Sequence, residues 1–159
     1  MTAIFLTVAL VSSAVEAGVI RINGTIAGSE SYAPFPNPAE GFYVNASVTS
    51  TDTQLGPFTL SYSLIVDFAF PGTPPGAPGA SRLVVGDAAN GDSIVTCSIG
   101  NNPGSCANGD FHLVENNTII GGTGRYAGAR GSFTLDRCLN PVTGETSGTI
   151  SGTIVVRGR

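Results

Sequence analysis

Thr118-Ile-Ile-Gly-Gly-Thr-Gly-Arg-Tyr-Ala-Gly-Ala-Arg-Gly-Ser-Phe133 is the stretch whose reading decides the fold. Five glycines fall among its sixteen residues, between an apolar start and an alternating end. Two readings compete. Gly122-Thr-Gly124-Arg-Tyr-Ala127 satisfies G-x-G-x-x-G/A after an apolar segment, a pattern that cradles a pyrophosphate in the right setting. That chemistry requires a helix next, because its N-terminal amides hold the phosphate. Here Gly128-Ala-Arg-Gly131 follows, then an alternating segment, and no βαβ unit surrounds them. The only acid near the required distance is Glu145, in a turn-like Thr-Gly-Glu-Thr. The calcium-binding repeat G-G-x-G-x-D also fails, since Tyr126 stands where its aspartate belongs. The run therefore reads as a turn needing positive φ at several glycines, leading into a strand.

Working outward, period-two alternation recurs along the chain. In Phe58-Thr-Leu-Ser-Tyr-Ser-Leu-Ile-Val-Asp-Phe-Ala-Phe70, residues Phe58, Leu60, Tyr62, Leu64, Val66, Phe68 and Phe70 share one face. Thr59, Ser61, Ser63 and Asp67 share the other. As one strand this segment would reach roughly 40 Å, which requires a bend or bulge. Phe42, Val44, Ala46 and Val48 form a second apolar face. Arg82-Leu-Val-Val and Ser93-Ile-Val-Thr-Cys read as a hairpin joined through Asn90-Gly91. Phe111-His-Leu-Val-Glu leads into the glycine run, and Ser132-Phe-Thr-Leu-Asp leaves it. The last segment, Thr146 to Arg157, puts Gly148, Ile150, Gly152, Ile154 and Val156 on one side. Small residues alternating with large ones suit the interior of a small barrel. No stretch shows a capped 3.6 period. The loop Pro71-Gly-Thr-Pro-Pro-Gly-Ala-Pro-Gly79 joins two strands rather than two domains. The expectation is an all-β protein, a single closed antiparallel β-barrel of about eight strands.

Composition agrees. The 159 residues suit one domain. The chain is 42% apolar but only 11% charged, with every basic residue an arginine. Net charge −4 with scattered arginines argues against a nucleic-acid partner. Residues 1–17 read as a signal peptide or an additional N-terminal strand, and residues 18–159 as the barrel domain. Ala3 to Val11 has the length of a signal-peptide apolar region, and Val15-Glu-Ala17 has small residues at the cleavage positions. A basic start is missing, and Ile4, Leu6, Val8 and Leu10 also alternate as a strand would. The run is too short for a stable membrane span. Cys97-Ser-Ile-Gly-Asn-Asn-Pro-Gly-Ser-Cys106 reads as a loop pinned by a disulfide, leaving Cys138 over. A disulfide suits a secreted, extracellular or periplasmic protein. No cysteine spacing fits zinc, so no metal is expected.

The residues now carry a resemblance. Ile119-Ile-Gly-Gly-Thr-Gly-Arg-Tyr-Ala-Gly-Ala-Arg-Gly131 resembles the hallmark segment of plant dirigent proteins. It is also similar to bacterial secreted proteins with Gly-Gly-Thr-Gly-Arg-Phe-x-Gly-Ala, which are related to the allene oxide cyclase barrel. The segment covers about a tenth of the chain. The resemblance implies an eight-stranded barrel with an apolar cavity that binds or orients a hydrophobic small molecule, with no cofactor. Any catalysis would be of a cofactor-free cyclase or isomerase kind. On the resemblance, Arg130 aligns with the Ala-Arg-Gly arginine, and Arg125 and Tyr126 with the variable and aromatic positions. The family's acidic cavity residues have no placed counterpart here.

Tyr62 and Asp67 join these three as pocket candidates from the strand pattern. His112, the single histidine, reads as an outward strand residue between Phe111 and Leu113. A hydrolase or lyase would rest on Arg130, Asp67 and His112 alone, since no G-x-S-x-G elbow is present. A different class of function is structural: a homo-oligomer or filament subunit whose apolar N-terminus completes a neighbour's sheet.

Overall fold

The computed structural model describes residues 18–34, 36–37, 41–52, 56–67, 80–88 and 91–156, with backbone alone for residues 42, 52, 62–67 and 80–88. The segment 1–17, read as a leader or an extra strand, lies outside them. Among the described residues there are eight strands: β1 (Gly18–Pro34), β2 (Gly41–Asp52), β3 (Gly56–Asp67), β4 (Ala80–Ala88), β5 (Ser93–Ser105), β6 (Phe111–Gly122), β7 (Arg130–Leu139) and β8 (Glu145–Val156). The one helical element among the described residues is a 3-10 turn, Gly124–Tyr126. The protein is all-β and antiparallel throughout. Each strand pairs with the next, and β1 also pairs with β8, from Gly18↔Val156 to Ser29↔Glu145.

Alternation builds the interior. Ile22, Ile26, Val44, Val48, Phe58, Leu60, Ile119, Phe133, Leu135, Ile150 and Ile154 are all buried in one cluster, each on the inner parity of its strand. Most of their strand neighbours are Thr, Ser or Asn facing outward, as a two-sided strand requires. The expected pairing of β4 with β5 forms, with Asp87 opposite Ser93, and Gly91 takes φ +82°.

The Gly/Ile alternation of β8 has a steric cause. Gly148 lies opposite Arg137 and Gly152 opposite Phe133. A Cβ on Gly148 would sit 2.7 Å from that of Arg137, and one on Gly152 would sit 2.6 Å from that of Phe133. Both would also strike a β7 carbonyl oxygen. The absent side chains on β8 leave the space that the largest inward side chains of β7 occupy.

The expected Cys97–Cys106 disulfide does not form. Cys106 bonds Cys138, with Cα atoms 6.1 Å apart, and Cys97 is a free, exposed thiol on the outside of β5. The reason is that residues 93–105 are strand rather than loop. Nine residues of strand place Cys97 and Cys106 roughly 30 Å apart, far beyond the limit of about 7 Å for a bridge. Strand β6 instead starts with Phe111 opposite Leu139, which brings the turn after Cys106 beside Cys138.

Gly152→Ala should lower stability by about 1–3 kcal/mol through overpacking. Gly121→Ala is the control, because nothing lies within 4 Å of its Cβ position. Urea unfolding of the two variants checks this: a clear fall in midpoint for the first and little change for the second.

Candidate functional site

The two ends of the sheet interior differ. At one end, the glycine run folds back as a plug. Thr123 ties it to β5: its hydroxyl accepts from the Ser93 amide at 2.9 Å, and its own amide donates to the Ser93 carbonyl at 2.8 Å. Gly124 takes φ +53° and Gly128 φ +73°, conformations that glycine adopts without strain. The turn drives Tyr126 and Ala129 into the core, 1% and 0% exposed. Arg125 stacks on the Tyr126 ring, 4.7 Å from its centroid, and sits 3.7 Å from the Asp92 carboxylate. Arg130 is exposed and donates to the backbone carbonyls of Ile120 and Ala129 at 2.8 and 2.7 Å. These three pocket candidates are thus together in one turn: Tyr126 fills the core, while Arg125 and Arg130 hold it from outside. The side chains of Tyr62 and Asp67 lie outside the described part of β3. His112 faces outward and meets Asp136 at 2.8 Å.

The other end carries the chemistry. Arg137 continues the inner parity of Phe133 and Leu135 and is only 2% exposed. Its Nε and Nη2 donate to the two carboxylate oxygens of Glu115 at 2.9 and 3.0 Å, a bidentate pair across β6 and β7. Its Nη1 reaches Glu30 of β1 at 2.5 Å and donates to the Thr146 hydroxyl at 3.0 Å. Thr146 passes the contact on, donating to the Cys138 carbonyl at 2.9 Å. Glu30 and Glu115 are 8% and 6% exposed. Two carboxylates and one guanidinium are therefore buried together, with one negative charge in formal excess.

Tyr32 stands at the rim on the same parity as Glu30, 40% exposed. Its phenol donates to Glu30 at 3.1 Å. Burial first, then the charge of Glu30 and the bond to it, push the Tyr32 phenol above its ordinary range, against the opposing pull of Arg137. It therefore stays a proton donor at neutral pH.

Deeper along β5 and β6 the wall remains polar. Ser98, Thr96 and Asn117 are buried there, and Thr96 meets Asn117 at 3.5 Å. On β2 and β3 the buried side chains are Val44, Ala46, Val48, Phe58 and Leu60, with Ser50 the one polar residue described among them. Below the rim, a cleft of about 520 Å³ is lined by residues including Gly28, Asp110, Asn140, Glu145 and Thr146. Thr146 is common to the cleft and the buried cluster. Asp110 is fixed there by Asn108 and Asn140, whose amides donate to it at 2.7 and 3.1 Å. The disulfide fastens this turn to β7.

No family model matches the chain. No curated protein matches it either. Among solved structures, it is similar to the pterocarpan synthase dirigent protein GePTS1, at 12% identity and a TM-score of 0.42, covering 99% of this chain and 100% of that one. At this identity and TM-score the likeness bears on neither ligand nor reaction.

Removing Arg137 alone should leave two uncompensated carboxylates and cost about 3–5 kcal/mol. In Arg137→Met combined with Glu30→Gln and Glu115→Gln most of that loss should return, because no bare charge stays buried. Chemical denaturation of the single and triple variants measures the coupling. Equal losses in both would mean that packing, not charge, dominates.

Proposed function

We propose that the chain is an exported, closed eight-stranded β-barrel that binds a small amphipathic molecule inside and holds it in one orientation, with no cofactor. The apolar body of the ligand lies against Val44, Ala46, Val48 and Leu60, and its polar end meets Glu30, Glu115 and Arg137. The observation that carries this reading is the buried ion cluster itself.

A fully buried ion group rarely stabilises a fold more than apolar side chains of the same volume. The layers nearer the plug show that this sheet can be filled with Ile, Leu and Phe. Charged groups held at fixed distances inside a strand interior are what orienting a polar substituent requires. The interior is also uneven, with most buried hydrogen-bonding groups on β5 and β6 and mostly hydrocarbon on β2 and β3, which favours one way for a ligand of mixed character to lie. The sequence resemblance of the glycine run to dirigent and allene oxide cyclase segments supports the same class of work. Export is supported by the disulfide and by the apolar run and small residues before Gly18.

Amide chemical-shift mapping with octanol as probe tests the interior site. Shifts should concentrate on inner residues such as Glu30, Glu115, Asn117 and Thr146. Shifts confined to the exposed outer residues Val19, Ile99 and Val155 would contradict it.

A further inference from the structure

The buried cluster and the cleft beside it share a sign. Inside, Glu30 and Glu115 set two negative charges against the single positive charge of Arg137. Outside, the cleft is lined by Asp110 and Glu145 and, among the described residues, by no basic side chain. Thr146 links the two regions, lining the cleft and accepting from Arg137. The outer cleft and the buried cluster behind Thr146 therefore both favour positive charge.

The guanidinium is engaged on several sides. Nε and Nη2 hold Glu115, while Nη1 holds Glu30 and Thr146. An incoming carboxylate would have to break one of these bonds and then sit beside two buried carboxylates. An incoming ammonium needs neither. It can replace the Tyr32 phenol as the donor to Glu30, a replacement at the rim that exposes Tyr32 rather than unpairing Arg137.

We infer that the interior site selects ligands whose polar end is a protonated amine, tolerates a neutral hydroxyl less well, and rejects a carboxylate. This rests on the reading of the interior as a ligand site and names the class of ligand that it takes. Hydrocarbon on β2 and β3 receives the remainder of such a molecule. Like-charge juxtaposition costs enough that the amine should bind about tenfold or more tightly than a carboxylate of the same chain length.

The test compares octylamine, octanol and octanoate on the oxidised protein by chemical-shift titration at neutral pH and low salt. The expected order is octylamine, then octanol, then octanoate. The amine's advantage should shrink as salt rises, while octanol's affinity changes little. Asp110→Asn combined with Glu145→Gln leaves the buried cluster untouched and should also narrow the gap. Glu115→Gln should narrow it further if that variant folds. Octanoate binding as tightly as octylamine overturns the charge selection while leaving the interior site standing. Binding of none of the three removes the interior site, and the inference with it.

Discussion

Arg137 is the side chain around which the polar end of this sheet is organised. Its guanidinium joins three strands, one of them distant in sequence: β7, which carries it, the neighbouring β6 through Glu115, and the remote β1 through Glu30. Through Thr146 it also touches β8. A guanidinium this deeply buried is tolerated only because nearly every direction around it holds an oxygen. The neighbouring strands must then supply those oxygens at fixed positions, so the registers of β6, β7, β8 and β1 are tied to one another by chemistry as well as by backbone bonds. Gly148 belongs to the same constraint, since any side chain there would occupy the space that the Arg137 stem needs.

The two ends divide the labour. The glycine run closes one end with Tyr126, and its arginines lie on the outer side of the turn, bonded to carbonyls and to Asp92. This end resembles an ordinary protein core. The opposite end gives up hydrocarbon for Glu30, Glu115 and Arg137, and Ser98, Asn117 and Thr96 continue a polar strip from it along β5 and β6. Apolar packing closes the first end and buried charge the second, and the disulfide to Cys138 sits beside the second. Fastening the turn that bears Asp110 holds the cleft in shape without a large core beneath it.

The strands were largely legible in the sequence because each carries a clean period of two, and the Gly/Ile rhythm of β8 marked an inner face crowded from one side. Rejecting the phosphate-loop reading of the glycine run needed only the strand that follows it. The cysteine pairing was not legible. Asn101-Asn-Pro-Gly has the composition of a loop, yet it continues β5 with a register shift between Asn101 and Gly104. Whether Cys97 and Cys106 meet depends on that extension, which pairing with β6 imposes from outside the segment.

The ion cluster was not legible for a different reason. Glu30 falls on the parity of Ile22 and Ile26, Glu115 on that of Leu113, and Arg137 on that of Phe133 and Leu135. A charge on an apolar parity was the available signal. Which charges meet depends on register: Glu115 stands opposite Leu135, one diagonal step from Arg137. Single-sequence periodicity identifies faces but not the partners across them. Arg125 and Arg130 stand in a conspicuous motif, while Arg137 sits in a plain strand.

The most direct measurement is a crystal structure of the oxidised protein grown with octylamine. The account predicts the amine nitrogen in the sheet interior, about 3 Å from a carboxylate oxygen of Glu30 or Glu115, with the alkyl chain along Val44, Ala46 and Val48. An amine ordered only against the outer face, over an unchanged and fully packed interior, would contradict it.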